Sequence, residues 1–560
     1  NLPALFPELS EAWITVSNVG TYSNGAKLLY SAPCGTSADY CVVHDGIDIT
    51  AGSDVYDGAA GYSHWISTMY GTSMAAPQIS GAIALLFQAF PDNSPELITK
   101  RLLFTANNSW FDNQNCFKDN NGDGLIGNDE FSNYCGGYDG QSQFNGLTHS
   151  YSNLYGHGNP DLHKALQPIG TNRVAGINGN EMLFVGSGLL LSSYIGDSLN
   201  LNSETAFFRD QLQGGFEFNL GDLVAGNKEI RLHERMRKTS FDQWNTVSDT
   251  QKYNLSFASA GHDQNENGLN DDIGIYTSLT SGNQKFYFGN KYSIDKLLGL
   301  KQSNNAFSIL TAHNNDNSFL SLTEAAGNGQ VFGDQIKISN GITLNIAGYI
   351  GKSNKLDLNE KGLIASITNK FDKYNDVTFF VGQNIEDDSV LRLSGSGAFG
   401  NLSGETFHTG MSFNRHLYKN LHLTGLANLG ITNNKDDQYG LISDFNDIIT
   451  SQFNVGLVAS GVYSNNDLFS VNISQPLRSE SGSAKLNLPG SMNADGTHNF
   501  NLKQVDLVPS GREINLDIGY EKHLFNFGAL RFGSQITFEP SHKENQKTNG
   551  LIYGLYKTDF

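Results

Sequence analysis

Gly71-Thr72-Ser73-Met74-Ala75-Ala76-Pro77 joins a serine hydroxyl to the start of an apolar helix. A nucleophile gains most at such a place. The free N–H groups and the dipole of a helix start favour the negative charge that develops during attack on a carbonyl. Gly71 permits a tight strand-to-helix turn, with Thr72 completing it. Ser73 supplies the hydroxyl and a backbone N–H able to face an oxyanion. Ala75 and Ala76 are small enough for close packing, and Pro77 lies in the first turn, where proline is tolerated. A serine before a helix is commonly a plain N-cap. The full heptamer followed by a long apolar helix favours the nucleophile instead.

A second cluster carries a different chemistry. Asp119-Asn120-Asn121-Gly122-Asp123-Gly124-Leu125-Ile126-Gly127-Asn128-Asp129-Glu130 matches the twelve-residue EF-hand calcium loop at each key position. Asp119, Asn121 and Asp123 offer side-chain oxygens, Leu125 a carbonyl and Glu130 a bidentate carboxylate. The flanks are not clear amphipathic helices, so a structural Ca2+ site is expected rather than a sensor; the alternative is an acidic surface loop. Asp263 to Asp272 repeats the first half of such a loop, but Gly274 stands at the place of the bidentate Glu. There a weak site and a polar turn stay equally open.

The four cysteines fall in two local pairs, Cys34 with Cys41 and Cys116 with Cys135. Each pair sits in a polar, loop-like segment, which suggests two disulfides in an oxidising compartment over four buried thiols.

The elements that must position these groups divide the chain. Residues 1–170 read as α/β. Ala75, Ala76, Ile79, Ala82, Ile83, Leu85, Leu86, Phe87 and Phe90 make residues 74–90 apolar nearly all round, the pattern of a buried helix. Ser94-Pro95-Glu96 then reads as an N-cap, an N1 proline and an early acid opening a second helix. Residues 171–230 are a Gly-rich linker with an apolar patch from Met182 to Leu191. Over 231–560 the pattern changes to period two. Leu421, Leu423, Gly425, Ala427, Leu429 and Ile431 alternate with mostly polar residues, and so do Phe453, Val455, Leu457 and Ala459. Ile514, Leu516, Ile518 and Tyr520, then Phe532, Ser534, Ile536 and Phe538, repeat it, with turn clusters between. The repeats run roughly 9–12 residues, the length of a tilted membrane strand. The fold class is therefore α/β followed by a large antiparallel β domain, read as an outer-membrane β-barrel. A soluble β-sandwich is the alternative, because alternation alone does not separate lipid from core.

The net charge of −20 argues against a nucleic-acid partner, since no basic stripe is available for phosphates. No run of 18 apolar residues suggests a transmembrane helix. The chain begins at Asn1 without Met or a secretory signal, and is expected to be the C-terminal part of a longer precursor.

The serine heptamer resembles the serine motif of the subtilisin-like proteases, the subtilases. Asn1-Leu2-Pro3-Ala4-Leu5-Phe6-Pro7-Glu8-Leu9 through Ser17 is similar to the segment after the oxyanion asparagine in surface-exported bacterial subtilases. Cys34-Gly35 through Cys41 resembles their paired-cysteine loop, and Tyr155-Gly156-His157-Gly158-Asn159-Pro160-Asp161-Leu162 their closing turn and helix. Ser474-Gln475-Pro476-Leu477-Arg478 with Glu480-Ser481-Gly482 resembles the C-terminal region of autotransporter-like members, as does the final strand ending on Phe560. The resemblance implies a serine endopeptidase with protein or peptide substrates. It also implies secretion to the surface or outer membrane of a Gram-negative bacterium.

Subtilases order their triad Asp, His, Ser. No Asp-Thr-Gly, Asp-Ser-Gly or His-Gly-Thr precedes Ser73. Val43-His44-Asp45-Gly46-Ile47-Asp48 is only superficially like an aspartate motif. His44, His64 and His157 read as surface or loop histidines. The chain therefore carries the nucleophile without its base, its orienting acid or the asparagine oxyanion donor, and is expected to be inactive alone. Two other readings stay open: a non-catalytic, calcium-stabilised surface protein built on a decayed protease domain, and an outer-membrane barrel whose protease part is incidental.

Overall fold

The computed structural model describes residues 2–3, 5–21, 27–57, 61–111, 116–117, 131–132, 137–226, 244–249, 252–259, 273–290, 292, 294–300, 320–352, 359–434, 439–464, 466–492, 497–524 and 528–557. The Asp119–Glu130 loop, the Asp263–Asp272 string and Cys135 lie outside them, so neither calcium loop nor the second cysteine pair is described. Cys34 and Cys41 form a disulfide.

In the α/β part, β1 (Thr15–Thr21) pairs antiparallel with β2 (Lys27–Leu29) and parallel with β3 (Cys41–Asp45). The first helix, α1 (Thr72–Ala89), lies against β1 and β3. Its buried stripe is Ala75, Ile79, Ala82 and Leu86, packed with Tyr40, Val42 and Leu102. Ala84 and Leu85 face solvent, Leu85 with 52% of its surface exposed. This corrects the expectation of a helix buried all round: α1 is covered on one flank only among the described residues. The second helix, α2 (Pro95–Thr105), begins as the sequence suggests. Ser94 Oγ accepts the Leu97 N–H at 3.3 Å and Pro95 takes the first helical position.

Four of the short strands in residues 171–226, Glu181–Leu183, Arg173–Ala175, Thr205–Arg209 and Gly215–Asn219, form one sheet, hydrogen-bonded in that spatial order. One buried pair fastens them to α2. Arg101 and Asp210 are both fully buried side chains, 2.5 Å apart. Asp210 also accepts the N–H groups of Ile169, Leu212 and Gly214, while Arg101 donates to the Ala165 and Gln167 carbonyls. The Arg101 guanidinium lies 4.2 Å above the Phe90 ring. Charges removed from water in this way stay favourable only while both partners are present.

The rest of the chain is dominated by a 15-stranded sheet in which each strand pairs antiparallel with the next. The strands are β4 (Trp244–Asp249), β5 (Tyr253–Ser259), β6 (Ile273–Ser281), β7 (Gln284–Asn290), β8 (Gln330–Ser339), β9 (Ile342–Lys352), β10 (Asn359–Lys370), β11 (Asp376–Asp387), β12 (Gly404–Tyr418), β13 (Leu421–Asn434), β14 (Ile448–Ser460), β15 (Asp467–Ser481), β16 (Ile514–His523), β17 (Ala529–Phe538) and β18 (Asn549–Lys557). Among the described residues β4 and β18 are its edges. The sheet's polarity is inverted relative to a water-soluble core. Phe379, Val381, Phe407, Leu429, Ile431, Val455, Phe532 and Ile552 face outward and are exposed, whereas Thr378, Asn384, Thr406, Asn428, Thr450, Asn472 and Asp517 on the other face are buried. The alternating apolar sets read from the sequence all fall on the outward face.

The sheet is also curled. Tyr349 on β9 donates to the Leu322 carbonyl, and Gln452 on β14 accepts the Ser321 N–H. Those strands are five steps apart, about 24 Å along a flat sheet. Two side chains meet adjacent residues only if the sheet bends round them. At one end the connections are long: β11–β12, β13–β14 and β15–β16 bring Val390, Leu393, Leu441, Leu486 and Leu507 into one core with Leu189, Tyr194 and Phe208. At the other end β12–β13, β14–β15 and β16–β17 are separated by only two, six and five residues.

Arg101→Met would strand the buried Asp210 carboxylate. Urea unfolding of the α/β part should show a loss of about 3–5 kcal/mol; a loss below about 1 kcal/mol contradicts the anchoring role.

Candidate active site

Ser73 is the second residue of α1 and is exposed. The helix is entered through Gly71 at φ +131°, a conformation that side-chain-bearing residues rarely adopt. Met74 and Ala75 donate the first bonds, both to Gly71 O. This leaves the Ser73 N–H at the open end of the helix, where an oxyanion could be held.

The turn is braced from β3. Gly71 N–H donates to Gly46 O at 2.8 Å. A Cβ at Gly46 would stand 2.6 Å from Gly71 O and 2.7 Å from Asn18 Oδ1, so only glycine fits there. Gln78, one turn beyond the serine, donates to Asp45 O and Met74 O. Asn18 was not singled out by sequence reasoning. It is fully buried on β1 beside Gly46, and its amide atoms have no hydrogen-bond partner among the described residues.

The three histidines weighed as bases are placed as follows. His44 Nδ1 lies 2.9 Å from Asn159 Oδ1 and Nε2 lies 3.1 Å from Gln78 Oε1. It ties β3 to α1 and to the closing turn, and both ring nitrogens face amide groups. His64 lies on the strand Gly61–Met69, opposite Asp54, and its side chain is outside the described residues. His157, expected at the surface or in a loop, is fully buried instead. Its backbone N–H bonds Cys41 O, which draws the closing turn onto β3.

His157 has a partner that the sequence did not reveal, His149 on the strand Leu147–Tyr151. Their Nδ1 atoms are 2.8 Å apart. His157 Nε2 lies 3.0 Å from Asp39 O and 3.1 Å from Ser142 Oγ, and because a carbonyl only accepts, Nε2–H donates to Asp39 O. His149 Nε2 lies 3.1 Å from Ala106 O. Burial, with His149 as neighbour, pushes His157 down to about 4. Burial also lowers His149. These rings belong to the closing turn's packing and not to the serine.

The sign of the linkage follows. A histidine neutral in the fold and free to protonate when unfolded supports the fold above its unfolded value near 6.5 and loses that support as pH falls toward 4. Thermal melts should therefore show acid destabilisation between about pH 6.5 and 4, flattened in His157→Gln. An unchanged slope in the variant would contradict the assignment.

Comparison with known proteins agrees with the site's sequence. Residues 1–158 match the Peptidase_S8 subtilase family. An extracellular serine protease of Serratia marcescens is 31% identical over 120 residues, covering 19% of this chain and 11% of that protein. The matched part is therefore a small share of that relative's length. Among solved structures, Pseudomonas putida OprB at high pH shows a TM-score of 0.31 and 12% identity, over 54% of this chain and 74% of its own. A bacterial polysaccharide outer membrane secretin shows 0.26 and 6%, over 55% and 83%. The interpretation of the sheet rests on its own burial pattern and not on these two likenesses. The likeness to the subtilase family is confined to residues 1–158, the segment that carries Ser73 at the head of α1.

Proposed function

We propose that the chain carries the nucleophile-bearing part of a subtilisin-type serine endopeptidase, held at a bacterial surface by an outer-membrane β-barrel. The protease reading is supported by an exposed Ser73 hydroxyl at an open helix start inside the subtilase-matched segment. In the reaction, Ser73 Oγ bonds to the scissile carbonyl carbon while its proton passes to a base. The resulting oxyanion faces the Ser73 N–H, the amine leaves, and water releases the acyl group. The base, the acid that orients it and the asparagine donor are not supplied by His44 or His157, whose rings are engaged elsewhere. In this reading residues 1–560 are inactive alone. Asp119, Asn121, Asp123, Leu125 and Glu130 enter this reading as a structural calcium site on their sequence pattern.

The barrel reading is supported by the exposed apolar face and buried polar face of the curled sheet. A soluble sandwich would turn its apolar face inward, whereas a membrane barrel presents it to lipid. Barrels of this kind keep short turns on the periplasmic side and longer loops outside. The long connections, capped by residues 171–226, thus put the α/β part on the outer side.

A fluorophosphonate probe separates the possibilities. The chain as given should label Ser73 no faster than a Ser73→Ala control; a form extended upstream through the Asp and His motifs should label rapidly. Rapid labelling of residues 1–560 overturns the inactivity, and a silent extended form favours a decayed protease domain.

A further inference from the structure

We propose that a cavity between the α1–α2 turn, the four-stranded sheet of residues 171–226 and the hairpin of Ser483–Met492 and His498–Asp506 binds a carboxylate carried on a compact apolar body. The proposal needs neither the protease reading nor the barrel reading. Where α1 meets the cavity, at Ala89 and Phe90, it is roughly 24 Å along the helix from Ser73.

The cavity measures about 180 Å3, and described residues line it from all three sides. A cavity of roughly 150 Å3 takes up benzene, so the space suits a body of that size. Phe90, Pro91, Ala175 and Phe207 give it apolar walls. Phe90 is already held by the Arg101 guanidinium over its ring.

The charge comes from the sheet. Arg173 and Arg209 stand directly opposite each other on neighbouring strands, and both line the cavity. Their side chains therefore leave one face side by side, and like charges so placed destabilise a sheet. Arg173 has Glu181 at 3.7 Å. Arg209 donates to Gln213 Oε1 at 3.2 Å and forms no ion pair among the described residues. Burial lowers its pKa more than Asp92 and Glu181 raise it. On its other side the ladder offers Gly215, where a Cβ would meet no atom within 4 Å. The Arg209 guanidinium thus has unused N–H donors, too little negative charge around it and open space beside its strand. The fork of a guanidinium matches a carboxylate bidentately. A phosphate carries more charge and would be repelled by Asp92 and Glu181, which also line the cavity. A singly charged carboxylate balances Arg209 alone.

The test titrates the full chain in detergent with 4-methylpentanoate, followed by ligand-observed NMR. Saturable binding is expected, with a Kd on the order of 1 mM. Arg209→Gln should weaken it about tenfold or more. Gly215→Ile, whose side chain enters the open space, should do the same with the guanidinium intact. The neutral isostere 4-methylpentanamide should also bind about tenfold more weakly than the acid. N-acetylleucine identifies the source: binding tighter than that of the acid assigns the site to the C-terminal residue of a peptide, and weaker binding to a free acid. If Arg209→Gln fails to fold, Gly215→Ile decides. No saturation by about 10 mM overturns the proposal. So does equal binding of acid and amide, stronger binding of inorganic phosphate, or full affinity in the folded variants.

Discussion

The structure depends on one constraint: the large sheet turns its apolar side chains outward. Phe379, Val381, Phe407, Leu429, Ile431 and Ile552 are exposed, while the buried face opposite carries Thr, Ser, Asn and Asp. In water such a surface has no partner to remove it from solvent, and burial of apolar area is the main favourable term in folding. In a bilayer the same surface is matched to hydrocarbon. The ladder can then satisfy backbone groups without water on the lipid side. The inward polar face, the curling round Ser321 and Leu322, and the capping of one end follow from that choice.

The cap transmits the constraint to the α/β part. Residues 171–226 share a core with three connections of the sheet through Leu189, Tyr194, Val390, Leu441 and Leu507. The same residues reach α2 through Asp210 and Arg101. Lys503 on the hairpin between β15 and β16 also pairs with Glu204. The serine-bearing helix is therefore set on a folded pedestal.

Much of this was legible before the structure. The heptamer placed a turn and helix at Gly71–Pro77, Ser94-Pro95-Glu96 placed the start of α2, and period two marked the membrane-length strands. What alternation could not reveal was which face turns outward, because the pattern is the same for lipid and for core. The α1 helix misled for a related reason: its apolar residues lie on every side, so the sequence carries no sign of which flank is covered. Arg101 with Asp210, and His149 with His157, were invisible because their partners come together only through the fold. The first pair is separated by 109 residues. The strands of 171–226 are two to five residues each, too short for a clear period, and read only as a Gly-rich connection.

The turn at Gly71 is braced by Gly46 and Gln78, and the His44 and His157 rings are engaged in packing contacts. Whether that turn stands above a membrane is the central question. Sedimentation of the folded chain in buffer with and without detergent answers it most directly. The account predicts a folded, monodisperse particle only when detergent or lipid covers the sheet. A folded chain that stays monodisperse without either would contradict it.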